Sequence, residues 1–348
     1  MQPPITIAGN TIQPGKRKSI ELPIPSFYTH TSASMPVHII HGRKPGPCLL
    51  VCAAIHGDEI NGVEIIRRVL AHKTINNLKG TLITIPIVNV FGFVSQSRYL
   101  PDRRDLNRSF PGSKKGSMAS RLANILMEEV VEHCSHIIDL HTGAVARENL
   151  PQIRACLVDD TETKALARAF GVPVIINTEL RDGSLREAAR EKNIPFLLYE
   201  AGEALRFDEV VIRAGVRGIL GVMHHLGMRT KARKKKVNET VISQSTQWIR
   251  SPNSGILRSI SPLGTLVKKG DLLAYVGDPL GEVETKVMSS IFGIVIGKTN
   301  LPLVHEGDAI YHIARYPEAE EVSNYIESYH DELDPLNDEI ADKSNSLA

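Results

Sequence analysis

The chain is poor in several features that would mark common protein classes. It holds four cysteines, Cys48, Cys52, Cys134 and Cys156, and none forms a Cys-x-x-Cys pair. Three of them sit in apolar, strand-like runs, so they read as small core side chains in a reducing compartment, not as a disulfide framework. No stretch approaches the ~18 apolar residues of a membrane-spanning helix. The amino terminus, Met-Gln-Pro-Pro-Ile-Thr, has no basic n-region and no apolar h-region. No signal peptide is expected, and a cytoplasmic location is. No Gly-x-Gly-x-x-Gly and no phosphate-loop pattern follows a strand, which argues against a nucleotide site. The formal net charge is only +2, so no global field favours nucleic acid or a membrane. The local exception, Lys231-Ala-Arg-Lys-Lys-Lys236, reads as a solvated linker because no aromatics interleave with it.

What is present is an ordinary globular composition, 42% hydrophobic and 23% charged over 348 residues. Such a length predicts two domains and a sizeable core. The most informative stretch is Cys48-Leu-Leu-Val-Cys-Ala-Ala-Ile-His-Gly-Asp-Glu59. Its first eight residues form an apolar run with the length of a fully buried strand. The run stops at His56-Gly-Asp-Glu59, and Val63, Ile66, Val69 and Leu70 then follow at helical spacing. A strand running into a helix places its loop at the carboxyl end of a sheet, where open α/β sheets keep their ligand sites.

The same alternation continues along the chain. Strands are expected at Val37 to His41, Thr81 to Val88, His136 to His141, Ile153 to Val158, Val172 to Ile176 and Pro195 to Glu200. Helices are expected over about 59 to 72, 120 to 132, 161 to 170, 184 to 192 and 208 to 226. The fold class is therefore α/β, a mixed or mostly parallel sheet flanked by helices. Residues 89 to 117 read as a long polar loop, and loops of that length in a compact domain are usually functional or disordered. Beyond residue 240 the texture changes to short Val, Ile, Leu and Thr runs punctuated by glycines, a smaller all-β domain. The expected organisation is a catalytic α/β domain over 1–230, a basic linker over 231–239, a β-sandwich over 240–316 and an acidic tail over 317–348. The end of that tail is expected to be disordered, while Val322, Tyr325, Ile326 and Tyr329 are spaced for one short helix.

The candidate site is assembled from strand ends. An imidazole and a carboxylate three residues apart on one turn, His56 and Glu59, can reach a single zinc ion, although His-x-x-Glu alone is a weak signal. A catalytic zinc takes three protein ligands and leaves one position open. His141, closing the strand His136 to His141 just before Gly143, is the expected third ligand. Asp139 shares its face and can accept a hydrogen bond from an imidazole. Hydrolysis also needs a base. Glu200 closes a strand in the same way and is preferred over Glu203, which reads as an acidic residue of the next helix turn. Asn107 and Arg108, adjacent on the long loop, can hold a carboxylate.

His56-Gly-Asp-Glu59, Asp105-Leu-Asn-Arg108, Asp139-Leu-His141 and Glu200-Ala-Gly202 together resemble the succinylglutamate desuccinylase/aspartoacylase family, relatives of the zinc carboxypeptidases, over about residues 45 to 225. The resemblance implies one Zn2+ per chain on His56, Glu59 and His141, Glu200 as general base, and Asn107 and Arg108 at the substrate carboxylate. It implies a zinc-carboxypeptidase-like mixed sheet and a role in amino-acid metabolism, hydrolysing the amide of a small N-acyl amino acid. Either Arg98 or Arg103 takes the substrate carbonyl, and Arg186 is the expected partner of a second carboxylate. The C-terminal region, through Ser251 to Leu257, Val267 to Leu273 and Gly293 to Val295, resembles biotinyl/lipoyl-type β-sandwiches. The nearest lysine to its hairpin tip Asp278 to Gly281 is Lys286, within the following strand, so a carrier role is not expected. Packing at the active-site mouth is. The expected partner is a small-molecule N-acyl amino acid or related amide, with no nucleic acid and no membrane, and homo-oligomer formation is left open. The rival readings are a metallocarboxypeptidase or peptide amidase with the same ligands, and a metal-binding protein without activity.

Overall fold

The computed structural model describes residues 1–27, 29–158, 160–229, 242–316 and 319–334. The expected basic linker, 231–239, and the last residues of the acidic tail lie outside the described residues. In chain order the main elements are β1 (Lys16–Ile24), β2 (Ala33–His41), β3 (Cys48–Ala53), α1 (Asn61–Ala71), β4 (Thr81–Ile85), α2 (Met118–Glu129), β5 (His136–Gly143), β6 (Arg147–Ala155), α3 (Thr161–Phe170), β7 (Val174–Asn177), α4 (Leu185–Glu191), β8 (Phe196–Glu203) and α5 (Glu209–His225). They are followed by β9 (Thr246–Arg250), β10 (Gly255–Ser259), β11 (Leu272–Gly277), β12 (Glu284–Met288), β13 (Gly293–Thr299), β14 (Ala309–Ala314) and α6 (Ala319–Leu333).

One mixed sheet organises the molecule, with strand order β9-β14-β13-β6-β8-β5-β3-β4-β2-β1 and β7 beside β6. Its centre, β8-β5-β3-β4, is parallel, so four carboxyl ends point the same way. These strands are apolar on both sides, and β3, β4 and β5 are buried almost throughout, as strands covered on two faces must be. On one face Ile65, Ile66 and Val69 of α1, Phe170 of α3 and Ile212, Ile219 and Met223 of α5 meet Leu49, Val51, Leu140 and Tyr199. On the other, Leu122 and Leu126 of α2 and Leu185 of α4 meet Leu50, Cys52 and Ile137.

The helix starts follow the sequence. Ser117, Asp160, Ser184 and Asp208 each cap a helix by accepting from the backbone N–H three residues on, which satisfies one of the orphan donors of a first turn. Strand β4 ends at Ile85, immediately before Pro86, which cannot donate to the ladder. The segment 89 to 117 departs from the plain loop expected: it contains a five-residue helix, Val90–Val94, capped by Asn89, and a 3-10 turn, Leu106–Arg108, capped by Asp105.

The C-terminal strands are hydrogen-bonded into the central sheet. β13 pairs antiparallel with β6, Gly297 opposite Asn149 and Thr299 opposite Arg147. The strands β10, β11 and β12, with Leu303–Val304, form a four-stranded antiparallel sheet that closes a core of Ile249, Leu257, Leu273, Val295 and Tyr311. Lys286 lies within β12, and the hairpin tip is tied by Asp278, which accepts from the N–H groups of Leu280 and Val283. The α6 helix forms at the spacing read from the tail, with Val322, Ile326 and Tyr329 buried.

Candidate active site

The site lies at the carboxyl ends of β3, β5 and β8. After β3 the chain turns sharply: Ala54 adopts a left-handed backbone at φ 52°. The following loop is pinned against Val90–Val94. A Cβ on Gly57 would stand 1.9 Å from the backbone carbon of Gly92, so only glycine fits between His56 and Asp58. The Glu59 N–H donates to the His56 carbonyl, and this tight turn brings both side chains to one point.

There His56, Glu59 and His141 place one ligand atom each within 4.8 Å of one another, all three side chains buried. Glu59 bridges the imidazoles: its Oε1 lies 2.7 Å from His56 Nδ1 and its Oε2 2.7 Å from His141 Nδ1. The far ring nitrogens are backed by carboxylates, His141 Nε2 by Asp139 Oδ2 at 2.7 Å and His56 Nε2 by Asp105 Oδ1 at 3.2 Å. A carboxylate behind each imidazole fixes the ring and raises its basicity, the support that metal-ligating histidines almost always have.

The electrostatics point the same way. Burial alone would raise Glu59, but the two imidazoles hold its carboxyl far below the usual range. Burial disfavours a charged His141, yet Asp139 and Glu59 raise it well above the ordinary value, and His56 is raised by Glu59 and Asp105 against the same burial. Asp105 is likewise held low by His56 and Arg98 against its burial. The cluster therefore draws positive charge. Arg98 supplies some of it: Nη1 reaches His56 Nδ1 at 3.2 Å and Glu59 Oε1 at 3.4 Å, while Nη2 donates to Asp105 at 2.8 Å. Two nitrogen donors and one carboxylate, buried, converging and carboxylate-backed, fit a divalent ion such as zinc.

Glu200 on β8 pairs in register with His141 on β5, so its side chain enters the same cleft, partly exposed. Asn149 Nδ2 donates to Glu200 Oε2 at 3.3 Å, and Arg154 Nε stands 3.0 Å from the same oxygen as a contact of charges without hydrogen-bond alignment. The pairing of β6 with β8 slips between Glu200 and Gly202, a bulge that aims Asn149 at the carboxylate. Glu203 lies elsewhere, accepting from the Ala146 N–H at 3.0 Å and from Asn300 Nδ2 at 2.9 Å.

The cleft encloses about 220 Å3 and is lined by His56, Glu59, Arg98, Asn107, Arg108, His141, Arg186 and Glu200 among others. Asn107 is oriented by the Leu185 N–H, which donates to its Oδ1 at 3.0 Å. Arg108 packs its backbone on Gly183, where a Cβ would meet the Arg108 carbonyl oxygen at 2.6 Å, and its Nη1 donates to the Asn107 carbonyl. Arg186 is buried with Nη1 on Thr178 and Nη2 on the Glu179 carbonyl, and burial pushes its guanidinium below the usual value. Of the two alternatives for the carbonyl, Arg98 lines the cleft. Arg103 is exposed, sits in a turn at φ 62°, and does not line the cleft.

Sequence reasoning did not find Arg147, Asn149, Arg154, Arg181, Trp248 and Lys298, which also line the cleft. Trp248 and Lys298 come from the C-terminal strands. The only signal for them was the expected packing of that region at the mouth.

Comparison with known proteins places residues 45–226 in a match to the succinylglutamate desuccinylase/aspartoacylase catalytic domain. A curated relative, the N-alpha-acetyl-L-2,4-diaminobutyric acid deacetylase of Halomonas elongata, is 27% identical over 314 residues, covering 86% of this chain and 91% of its own. The product-bound structure of the ectoine utilization protein EutE (DoeB) from Ruegeria pomeroyi superposes with a TM-score of 0.78 at 25% identity, over 86% of this chain and 95% of that one. A succinylglutamate desuccinylase/aspartoacylase structure from Rhodobacter sphaeroides shares the fold, with a TM-score of 0.76 at 22% identity over 86% and 95%.

Proposed function

Because the chain belongs to the succinylglutamate desuccinylase/aspartoacylase family, we propose that it is a zinc-dependent deacylase, cleaving the amide of a small N-acyl amino acid into a carboxylate and a free amine. The observation that carries the reading is the alignment of Glu200 with His141 beside the His56–Glu59–His141 group. These three residues would hold the ion, which when bound supplies a Lewis acid and makes water acidic enough to attack.

The chain's own residues divide the remaining work. Glu200 takes a proton from the attacking water and returns it to the leaving nitrogen, with Asn149 and Arg154 holding the carboxylate in place. Asn107 and Arg108 hold the substrate carboxylate. Arg98, adjacent to the ligand atoms, meets the negative charge that develops on the carbonyl oxygen. The deacetylase activity of the Halomonas relative supports an acetyl group as the first acyl group to try. Four free cysteines support the cytoplasm as its location. Among the described residues no helix is long and apolar enough to cross a membrane.

The test is a free-amine release screen of the zinc-loaded protein on N-acetyl and N-succinyl amino acids and short peptides, repeated after chelation. Turnover of an acyl amino acid that is lost on chelation and regained with zinc is expected. Turnover of peptides alone, or turnover indifferent to chelation, would overturn the reading.

A further inference from the structure

Two residues of the C-terminal strands, Trp248 and Lys298, line the cleft, and the proposed chemistry gives them no task. Trp248 pairs with His312, His312 with Gly297 and Gly297 with Asn149. This row across β9, β14, β13 and β6 ends at the residue that holds Glu200. Gly297 has no side chain to interrupt it, and a Cβ there would stand 2.9 Å from Asn149 Oδ1.

His312 lies flat on Trp248, with ring centroids 4.2 Å apart and planes 5° apart. It is 4% exposed and, among the described residues, its Nδ1 has no hydrogen-bond partner. Burial, with Arg154 and Arg181 nearby, pushes its pKa down to about 3, so the platform under the indole is neutral. The Arg147 guanidinium lies over the same indole, 5.5 Å from its centroid. An indole positions a guanidinium and leaves its N–H donors free, whereas a carboxylate would neutralise it. Among the described residues no ion pair is formed by Arg147. Lys298 and Arg181 line the same mouth, and the carboxylate Lys298 reaches, Glu148, is 3.9 Å away.

We propose that Arg147, presented on the Trp248–His312 stack, is a specificity-determining residue that binds an anionic group, a carboxylate by preference, on the part of the substrate that lies against the C-terminal strands. The deacylase reading supplies the class of molecule that enters the cleft. The charge recognition is independent of turnover. The diaminobutyrate named for the Halomonas relative carries an amine at its side-chain end, and this mouth selects the opposite charge.

The test compares isosteres that differ in charge alone, N-acetylglutamate with N-acetylglutamine, on the zinc-loaded full chain. N-succinylglycine with N-succinamoylglycine, its terminal amide, places the charge on the acyl side and distinguishes the two sources of the carboxylate. Wild type favours the anionic member of at least one pair. Arg147→Ala raises KM for that member about fivefold, the worth of one exposed ion pair, leaving kcat and the neutral member unchanged. Trp248→Ala acts in the same direction, and Trp248→Phe restores most of the preference. Calorimetric titration of Glu200→Gln protein, with and without Arg147→Ala, reads the same selectivity without turnover. Selective binding with no hydrolysis by the wild type would leave this inference standing and remove the deacylase reading. Absence of binding by either anion, equal effects of Arg147→Ala on charged and neutral members, or no preference in the wild type would overturn it.

Discussion

Replacing Asp139 by asparagine isolates the part of the candidate metal site that lies behind the proposed ligands. Asp139 is fully buried, accepts from His141 Nε2 at 2.7 Å and receives the Cys52 thiol at 3.4 Å. Asparagine keeps the shape and an acceptor oxygen but removes the charge. A hydrogen bond to a charged group contributes about 1.5–3 kcal/mol against about 1 kcal/mol for a neutral one, and each 1.4 kcal/mol or so is tenfold in affinity. The difference, about 0.5–2 kcal/mol, should lower zinc affinity by about twofold to thirtyfold, overlapping the loss of about tenfold to a hundredfold usual when the partner of a ligating histidine is changed. Asp105→Asn, whose contact to His56 is longer at 3.2 Å and shared with Arg98, should cost less. Competition with a chromogenic chelator reads both constants, and circular dichroism checks that the fold survives. An unchanged zinc affinity in folded Asp139→Asn, or the reverse order of the two variants, would refute the reasoning.

Other consequences are as direct. Arg108→Ala should raise KM for substrates bearing the α-carboxylate well above the change for their amides, with kcat moved less; equal shifts for both would remove its anchoring role. Gly57→Ala forces a Cβ into the Gly92 backbone and should destabilise the protein by about 3 kcal/mol or more, read by urea denaturation of the metal-free chain; a loss below about 1 kcal/mol would show that this turn can move. Hydrogen bonds from Arg67 hold Glu64 down to about 2, and those from Arg68 hold Glu209 down to about 2. Carboxyls depressed in the fold stabilise it above their unfolded value near 4.5 and lose that contribution as the pH falls through about 2. Arg68→Met should therefore flatten the acid limb of the stability curve across this window. The effect should stay under about 1 kcal/mol because both partners are partly solvated, and a parallel curve would contradict it.

How much of this was legible in the sequence depended on whether a residue's place is set locally or by pairing. Continuous apolar runs marked the parallel strands because both of their faces are covered, and each run ended at a candidate site residue that the fold brings to one cleft: His56 after β3, His141 in β5, Glu200 in β8. Strand ends were therefore the productive place to look. Asp139 was legible too, since alternation alone puts it on the face of His141. Arg98 and Arg103 could not be separated, because the difference is a left-handed turn at Arg103 that no composition announces. Asn149 and Arg154 reach Glu200 through an antiparallel register with a bulge. Trp248 and His312 arrive through β9 (Thr246–Arg250) and β14 (Ala309–Ala314), far from Glu200 in sequence. Such cross-strand neighbours have no spacing in the chain, and the change to glycine-punctuated β texture after residue 240 hid that these strands complete the sheet carrying the site.

The most direct test of the central claim is Glu200→Gln, with zinc content and acyl-amino-acid turnover measured on the same preparation. The amide preserves the size of the side chain and the Asn149 contact but cannot take a proton from water. One zinc per chain is expected in both wild type and variant, with turnover of the variant reduced by about a hundredfold or more. Near-normal turnover with zinc in place would contradict it and move the base to another residue.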